Sequence, residues 1–117
     1  MTRTDDMLPL TPAVFHILLA LADGTKHGYG IMKEVETITD HRIKMGPGTL
    51  YGTIKRMLAA DLIVETGDRP DPELDDARRR YYRLTGFGRD VLTAEAQRLS
   101  DLVLVVQRKR LLGVERV

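Results

Sequence analysis

Gly46-Pro47-Gly48-Thr49-Leu50-Tyr51-Gly52-Thr53-Ile54-Lys55-Arg56-Met57 decides how this chain is read. Proline is tolerated in the first turn of a helix, where its missing N–H leaves nothing unpaired, so Gly46-Pro47-Gly48 sets the start of a helix running to about Ala60. On a wheel of about 100° per residue, Leu50, Ile54, Met57 and Leu58 form one apolar stripe. Gly48, Thr49, Gly52, Lys55, Arg56 and Ala59 fall on the other side, and no carboxylate precedes Asp61. A merely solvated face mixes both signs of charge. This face is small, hydroxylated and basic, which lets a helix come close to a DNA groove with cations at hand for phosphates. Tyr51 borders the stripe and suits packing as well as contact. The Thr49 hydroxyl also suits an N-cap.

Upstream, Thr11-Pro12 supplies an N-cap hydroxyl and a proline at the first helical position. The helix that follows, Ala13 to Ala22, is apolar around nearly its whole circumference and stops at Asp23-Gly24, which predicts burial on more than one side and hints at a second subunit. After the turn Gly24-Thr25-Lys26-His27-Gly28, a second helix carries Ile31, Val35 and Ile38 on one face. Gly28 and Gly30, around Tyr29, let its first turn approach either a phosphate or the first helix.

Downstream, Leu62-Ile63-Val64-Glu65-Thr66 and Tyr81-Tyr82-Arg83-Leu84-Thr85 are strand-like and joined by GDRPDPELDDARRR. They predict an antiparallel two-stranded wing with a long tip. Arg78, Arg79 and Arg80 cluster at the entry to the second strand. Exposed ion pairs contribute only about 0–1 kcal/mol, so phosphate binding explains three adjacent arginines better than stability does. The order helix, helix, helix, hairpin makes the fold class mainly α with a small β-hairpin, a winged helix-turn-helix.

From Gly86 to about Leu112 the pattern is helical again. Val91, Leu92, Leu99, Leu102, Val103 and Val106 mark an apolar side, with Arg89, Asp90, Glu95, Arg98 and Arg108 mostly off it. Such a helix extends about 40 Å, more than a small domain covers, so it is expected to project and pair with a second copy. The run Leu102 to Val106 is apolar all round, which one partner surface cannot cover. The chain therefore divides into a DNA-binding unit, 1–85, and a dimerisation helix, 86–117.

Composition limits the alternatives. A chain of 117 residues, 43% hydrophobic and 30% charged, fits one folded domain with an appended element. Its net charge is only +1, so nucleic-acid binding must rest on local charge placement. The absence of cysteine rules out disulfides and thiolate metal sites. His16, His27 and His41 lack the i, i+4 spacing of helical metal ligands, and no metal or other cofactor is expected. GPGTLYG has neither the dinucleotide fingerprint nor a phosphate-loop lysine. No nucleophile or acid–base pair can be assembled, so an enzyme is disfavoured. The N-terminus lacks a signal peptide's apolar core and no apolar run could span a bilayer, which points to the cytoplasm.

HGYG (His27 to Gly30), GTLYGTIKRM (Gly48 to Met57), ADLI (Ala60 to Ile63) and RRRYYRLT (Arg78 to Thr85), in this order and spacing, resemble the PadR family of bacterial transcriptional regulators. The match covers roughly Thr11 to Gly88. The resemblance implies a winged-helix repressor, dimeric through its C-terminal helix, on an inverted-repeat operator near its own or a neighbouring gene. It also implies a response to small aromatic or amphipathic molecules. Carried onto this chain, recognition falls to Gly48, Thr49, Tyr51, Lys55 and Arg56, with Tyr29 beside the phosphates and Arg78, Arg79 and Arg80 on the wing. By analogy an effector would sit at the dimer seam, against Phe15, Leu18, Leu99 and Val103. The chain looks like the family's short branch. It has no tryptophan, so a tryptophan sandwich around a flat ligand does not carry over. Asp71, Glu73, Asp75 and Asp76 beside the arginines also depart from a purely basic wing. A winged-helix protein-interaction module without a DNA role is the rival reading, and the carboxylate-free helix face favours DNA over it.

Overall fold

The structure is a computed structural model that describes residues 2–67 and 79–112. The wing tip, with Arg78, Asp71, Glu73, Asp75 and Asp76, lies outside the described residues. Eight elements follow in order: α1 (Arg3–Asp6), α2 (Pro12–Ala20), β1 (Lys26–His27), α3 (Gly28–Ile38), α4 (Pro47–Ala59), β2 (Ile63–Thr66), β3 (Tyr81–Leu84) and α5 (Gly86–Arg108). Helices α2, α3 and α4 correspond to the three expected from sequence. The Thr11 hydroxyl caps α2 by accepting the Val14 N–H, with Pro12 in its first turn. Between α3 and α4 the Thr39 hydroxyl donates to the Val35 carbonyl at 2.7 Å and accepts the Ile43 N–H at 3.1 Å. That pair of bonds closes the turn that sets α4 across α3.

The sheet has three strands in the order β1-β3-β2, antiparallel throughout, where the sequence predicts two. Lys26 and His27 lie opposite Tyr82 and Tyr81, so the entry to α3 is stitched directly to the wing. Two residues carry no strand periodicity of their own. Pairing with β3 makes them a strand.

The core joins Ile17, Leu18, Ala20 and Leu21 of the α2 region to Ile31 and Val35, Leu50, Ile54 and Met57, the sheet residues Ile63, Tyr82 and Leu84, and Val91 and Leu92 of α5. Ile38, expected on the apolar face of α3, is largely exposed at its end. Thr53 is fully buried on α4.

Helix α5 spans 23 residues and ends at Arg108, so it extends about 34 Å, a little less than expected. Its first half belongs to the core. Val91 and Leu92 are buried inside the protomer, which corrects their assignment to a dimer face: side chains already enclosed here have no surface left for a second copy. Glu95, expected off the apolar side, is 2% exposed one turn beyond Val91. It accepts the Leu10 N–H at 2.9 Å and bonds to the Arg98 guanidinium, anchoring the N-terminal segment to α5. Arg3 completes the anchor by lying 3.9 Å over the Phe87 ring and pairing with Asp61.

Thr85 and Gly88 fix α5 on the wing. The Thr85 hydroxyl caps α5 by accepting the Gly88 N–H at 2.8 Å and donates to the Asp61 carbonyl at 2.6 Å. A Cβ at Gly88 would lie 1.9 Å from the Leu62 carbonyl oxygen, so only glycine permits this approach. Gly88→Ala is expected to destabilise the fold by about 3 kcal/mol, because backbone must move. Gly86→Ala, which meets nothing within 4 Å, should leave the denaturation midpoint nearly unchanged.

The hydrogen bonds from Arg98 hold the Glu95 carboxyl below its ordinary value against the opposing cost of burial. A carboxyl depressed in the folded state stabilises fully above its unfolded value of about 4.5, and that contribution is lost as pH falls through the lower folded value. Glu95→Gln should therefore be less stable at neutral pH and show a flatter acid limb, read by urea unfolding between pH 6 and pH 3, with both limits taken as about the usual carboxylate window.

Candidate nucleic-acid interface

Packing of Leu50, Ile54 and Met57 turns the opposite face of α4 outward. Gly48, Thr49, Tyr51, Lys55 and Arg56 are all exposed there. Gly46 occupies the N-cap without a side-chain bond, so the Thr49 hydroxyl is not the cap. Instead the Thr49 carbonyl accepts the buried Thr53 hydroxyl at 2.7 Å. Thr53 in turn accepts Arg56 Nη2 at 3.1 Å, which lays the guanidinium along the helix. Thr53 was not singled out from sequence, although it stands three residues after Leu50 and four before Met57, on the edge of their stripe.

Tyr51 is 49% exposed, yet its hydroxyl end lies over Gly28: a Cβ there would be 2.2 Å from the Tyr51 oxygen. Gly28 thus lets the recognition-type helix and the start of α3 meet through Tyr51. Packing and exposure coexist in the one side chain.

His27 caps α3. Its Nδ1 accepts the Gly30 N–H at 3.0 Å. Nε2 lies within hydrogen-bond distance of Arg79 Nη1, 2.9 Å, which ties the start of α3 to the approach to β3. The ring stacks at 6.4 Å on Tyr29 and meets Tyr81 edge-on at 5.2 Å. Arg80, on the same approach to β3, pairs with Glu65 of β2 at 3.1 Å. Burial, with smaller contributions from Glu65 and Tyr51, pushes the Tyr82 phenol up, so it stays a neutral hydroxyl.

Together His27, Gly28, Tyr29, Tyr51, Arg79, Arg80 and Tyr82 line a cleft of about 450 Å³. The structure brings Tyr29, Tyr51, Arg79 and Arg80 of the expected set around this cleft. Gly48, Thr49, Lys55 and Arg56 lie on α4 outside its lining, and Arg78 lies outside the described residues. His27, expected only at a helix entry, is also a wall of the cleft. A cleft rimmed by guanidinium and phenol N–H and O–H donors suits an anion with flat or extended neighbours, as a nucleic-acid backbone provides.

Further along α5, Leu102, Val103 and Leu104 are exposed, while Leu99 and Val106 are half-buried. Of the residues expected around an effector, Phe15 is half-buried but Leu18 is sealed in the core, so Leu18 cannot line a seam between copies. Among the described residues no group of three histidine or carboxylate side chains could hold a metal ion, and no helix is long and apolar enough to cross a membrane.

A helix-turn-helix core, a wing stitched to it and a cation-rimmed cleft between them define the class of winged helix-turn-helix, DNA-binding transcription regulators. The profile of the transcriptional regulator PadR-like family matches residues 17–94, and the chain belongs to that family, which is one of regulators and not of enzymes. It is 36% identical over 87 residues to the transcriptional regulator Rv3488 of Mycobacterium tuberculosis, covering 74% of this chain and 75% of that one. It is also 41% identical over 86 residues to an uncharacterised transposon protein of Streptomyces fradiae, of whose length it covers 22%. Among solved structures, a PadR family transcription regulator of Clostridium difficile superposes with a TM-score of 0.68 at 26% identity, over 84% of this chain and 97% of that one. A transcriptional regulator from Clostridium thermocellum, TM-score 0.67 at 24% identity over 82% and 87%, shares the fold.

The cap and cleft roles of His27 separate by substitution. His27→Ala removes the acceptor for the Gly30 N–H and is expected to cost about 1 kcal/mol in thermal unfolding, whereas His27→Asn, which can still cap, should cost much less. Equal losses in both would put the stabilising role of His27 in its ring contacts instead.

Proposed function

We propose that this regulator is a repressor that binds an inverted-repeat operator as a homodimer, with residues 1–85 contacting DNA and the helix within 86–117 pairing the copies. The observation that carries this reading is the exposed, carboxylate-free face of α4 beside the cleft of His27, Tyr29, Tyr51, Arg79 and Arg80. In it, Gly48 and Thr49 allow α4 to enter the major groove, while Lys55 and Arg56 reach groove edges or phosphates. Tyr29, Tyr51, Arg79 and Arg80 grip the flanking backbone, and Arg78, outside the described residues, belongs to the same basic run. Exposed Leu102, Val103 and Leu104 form an apolar stretch on a helix that outruns its own core, which supports pairing through Leu99, Leu102, Val103 and Val106. Two copies would then read half-sites about one helical turn apart. A small aromatic or amphipathic effector that weakens DNA binding belongs to the same reading, with Phe15, Leu99 and Val103 as its seam location.

Three measurements test it. Replacing Lys55 and Arg56 together by alanine should cost about 2 kcal/mol, roughly thirtyfold in operator affinity. Undiminished binding at moderate salt would remove α4 from the groove. Replacing Arg79 and Arg80 by alanine should weaken all sequences alike and reduce the slope of log affinity against log salt by up to about 4, two arginines being lost from each copy. A loss confined to one operator would contradict a backbone role. Glutamate at both Leu102 and Val103 should give a monomer in sedimentation that still unfolds cooperatively, since Val91 and Leu92 remain in the core. An intact dimer would place the interface elsewhere.

A further inference from the structure

On α4, Thr53 is polar and yet fully buried, in the stripe of Leu50, Ile54 and Met57. Valine has the same shape and would fill that place with no hydroxyl to satisfy. The proton of the hydroxyl adds little to the helix, because the Thr49 carbonyl that takes it at 2.7 Å is already the i−4 acceptor of an ordinary helical N–H. What the hydroxyl adds is an acceptor. With its proton committed to Thr49, its lone pairs face Arg56, whose Nη2 donates to it at 3.1 Å.

Gly52 makes room for the same guanidinium. A Cβ built there would lie 3.8 Å from Arg56 Nη1, so the head group of Arg56 is folded back along α4 to the level of residues 52 and 53. At about 1.5 Å per residue it acts about 5 Å nearer the start of the helix than its own Cα does. That shift matters, because a recognition helix reads base edges through its N-terminal part, whereas Arg56 stands near the end of α4.

A phosphate contact demands charge and tolerates a mobile side chain, as Lys55 supplies: among the described residues it has no hydrogen-bond or ion-pair partner. A base edge demands direction. Guanidinium N–H bonds form a rigid fork with more donors than one tether uses, so the bond to Thr53 aims the fork without exhausting it. Two acceptors at fork spacing, N7 beside O6, mark guanine in the major groove.

We propose that Thr53 is a positioning residue for base recognition: it aims Arg56 at one guanine in each half-site, while Lys55 serves the phosphates. This rests on the entry of α4 into the major groove proposed above, and deepens it by dividing the two cations between sequence and charge.

The test takes the intact protein and a library of random-sequence duplexes, from which wild type should select a guanine in each half-site that Arg56→Ala no longer selects. Replacing that guanine by 7-deazaguanine, which lacks the N7 acceptor, should weaken wild-type binding about tenfold per half-site and leave Arg56→Ala unaffected. Thr53→Val should cut this discrimination about fivefold, with affinity for poly(dA-dT) and its salt dependence unchanged. Thr53→Ser, which keeps the hydroxyl and drops the methyl, should restore it. Where Thr53→Val does not fold, Thr53→Ala against Thr53→Ser makes the same comparison. Full discrimination without the hydroxyl, or none regained with serine, overturns the positioning role. An Arg56→Ala protein weakened equally on selected sites and poly(dA-dT) makes Arg56 a phosphate contact, which overturns the base assignment and leaves α4 in the groove. Undiminished binding by Arg56→Ala overturns this inference alone when Lys55→Ala still weakens binding. If Lys55→Ala is silent as well, the groove reading of α4 itself has failed.

Discussion

The approach of Gly88 to Leu62 is the constraint on which the arrangement depends. Strand β2 follows α4 after three residues, and α5 follows β3 directly, so the point where α5 crosses Leu62 fixes the long helix relative to α4. Thr85 reinforces it from both sides, capping α5 with one lone pair while its proton goes to the Asp61 carbonyl. Asp61 itself sits at φ 62 in the left-handed region, just after α4 ends, where the chain reverses into the wing. The end of α4, the start of the wing and the start of α5 therefore meet at Asp61 and Leu62.

Much of this was legible in the sequence because it is local. The stripe of Leu50, Ile54 and Met57, the Thr11-Pro12 cap and the strand character of Tyr81 to Leu84 follow from spacing and residue type alone. What escaped had its cause far along the chain. Lys26 and His27 form a strand only because β3 offers them partners more than fifty residues away. Glu95 reads as a surface residue until the Leu10 amide and Arg98 are seen to satisfy it; one turn after Val91, its position was periodic but its chemistry was not. Val91 and Leu92 looked continuous with Leu99 and Leu102, yet a single apolar side can pass from an intramolecular core to an exposed stretch without any break in period. Periodicity reports that a face is apolar, not what covers it.

The candidate site divides in the same way. That Lys55 and Arg56 share a face was visible by counting; that Tyr29, Tyr51 and Arg79 surround one cleft required the sheet register that sets His27 against Tyr81. His27 was hidden by its ordinary appearance as a helix-entry residue. Its cap bond and its place beside Arg79 use the two nitrogens of one ring, so a local role and a long-range one coincide in a single side chain.

With a net charge of +1, the chain has little long-range attraction for a polyanion, and Arg56 and Arg80 are engaged by weak neighbours. Arg80 rests on Glu65 in an exposed pair, an interaction of about 0–1 kcal/mol, and Arg56 rests on a hydroxyl. Such partners hold the side chains in place without competing seriously with a phosphate, whose counterion release supplies a larger gain. The same weakness cuts the other way. A cation held loosely enough to be taken by DNA is held loosely enough to be taken by another anion. Low net charge thus makes each local contact count.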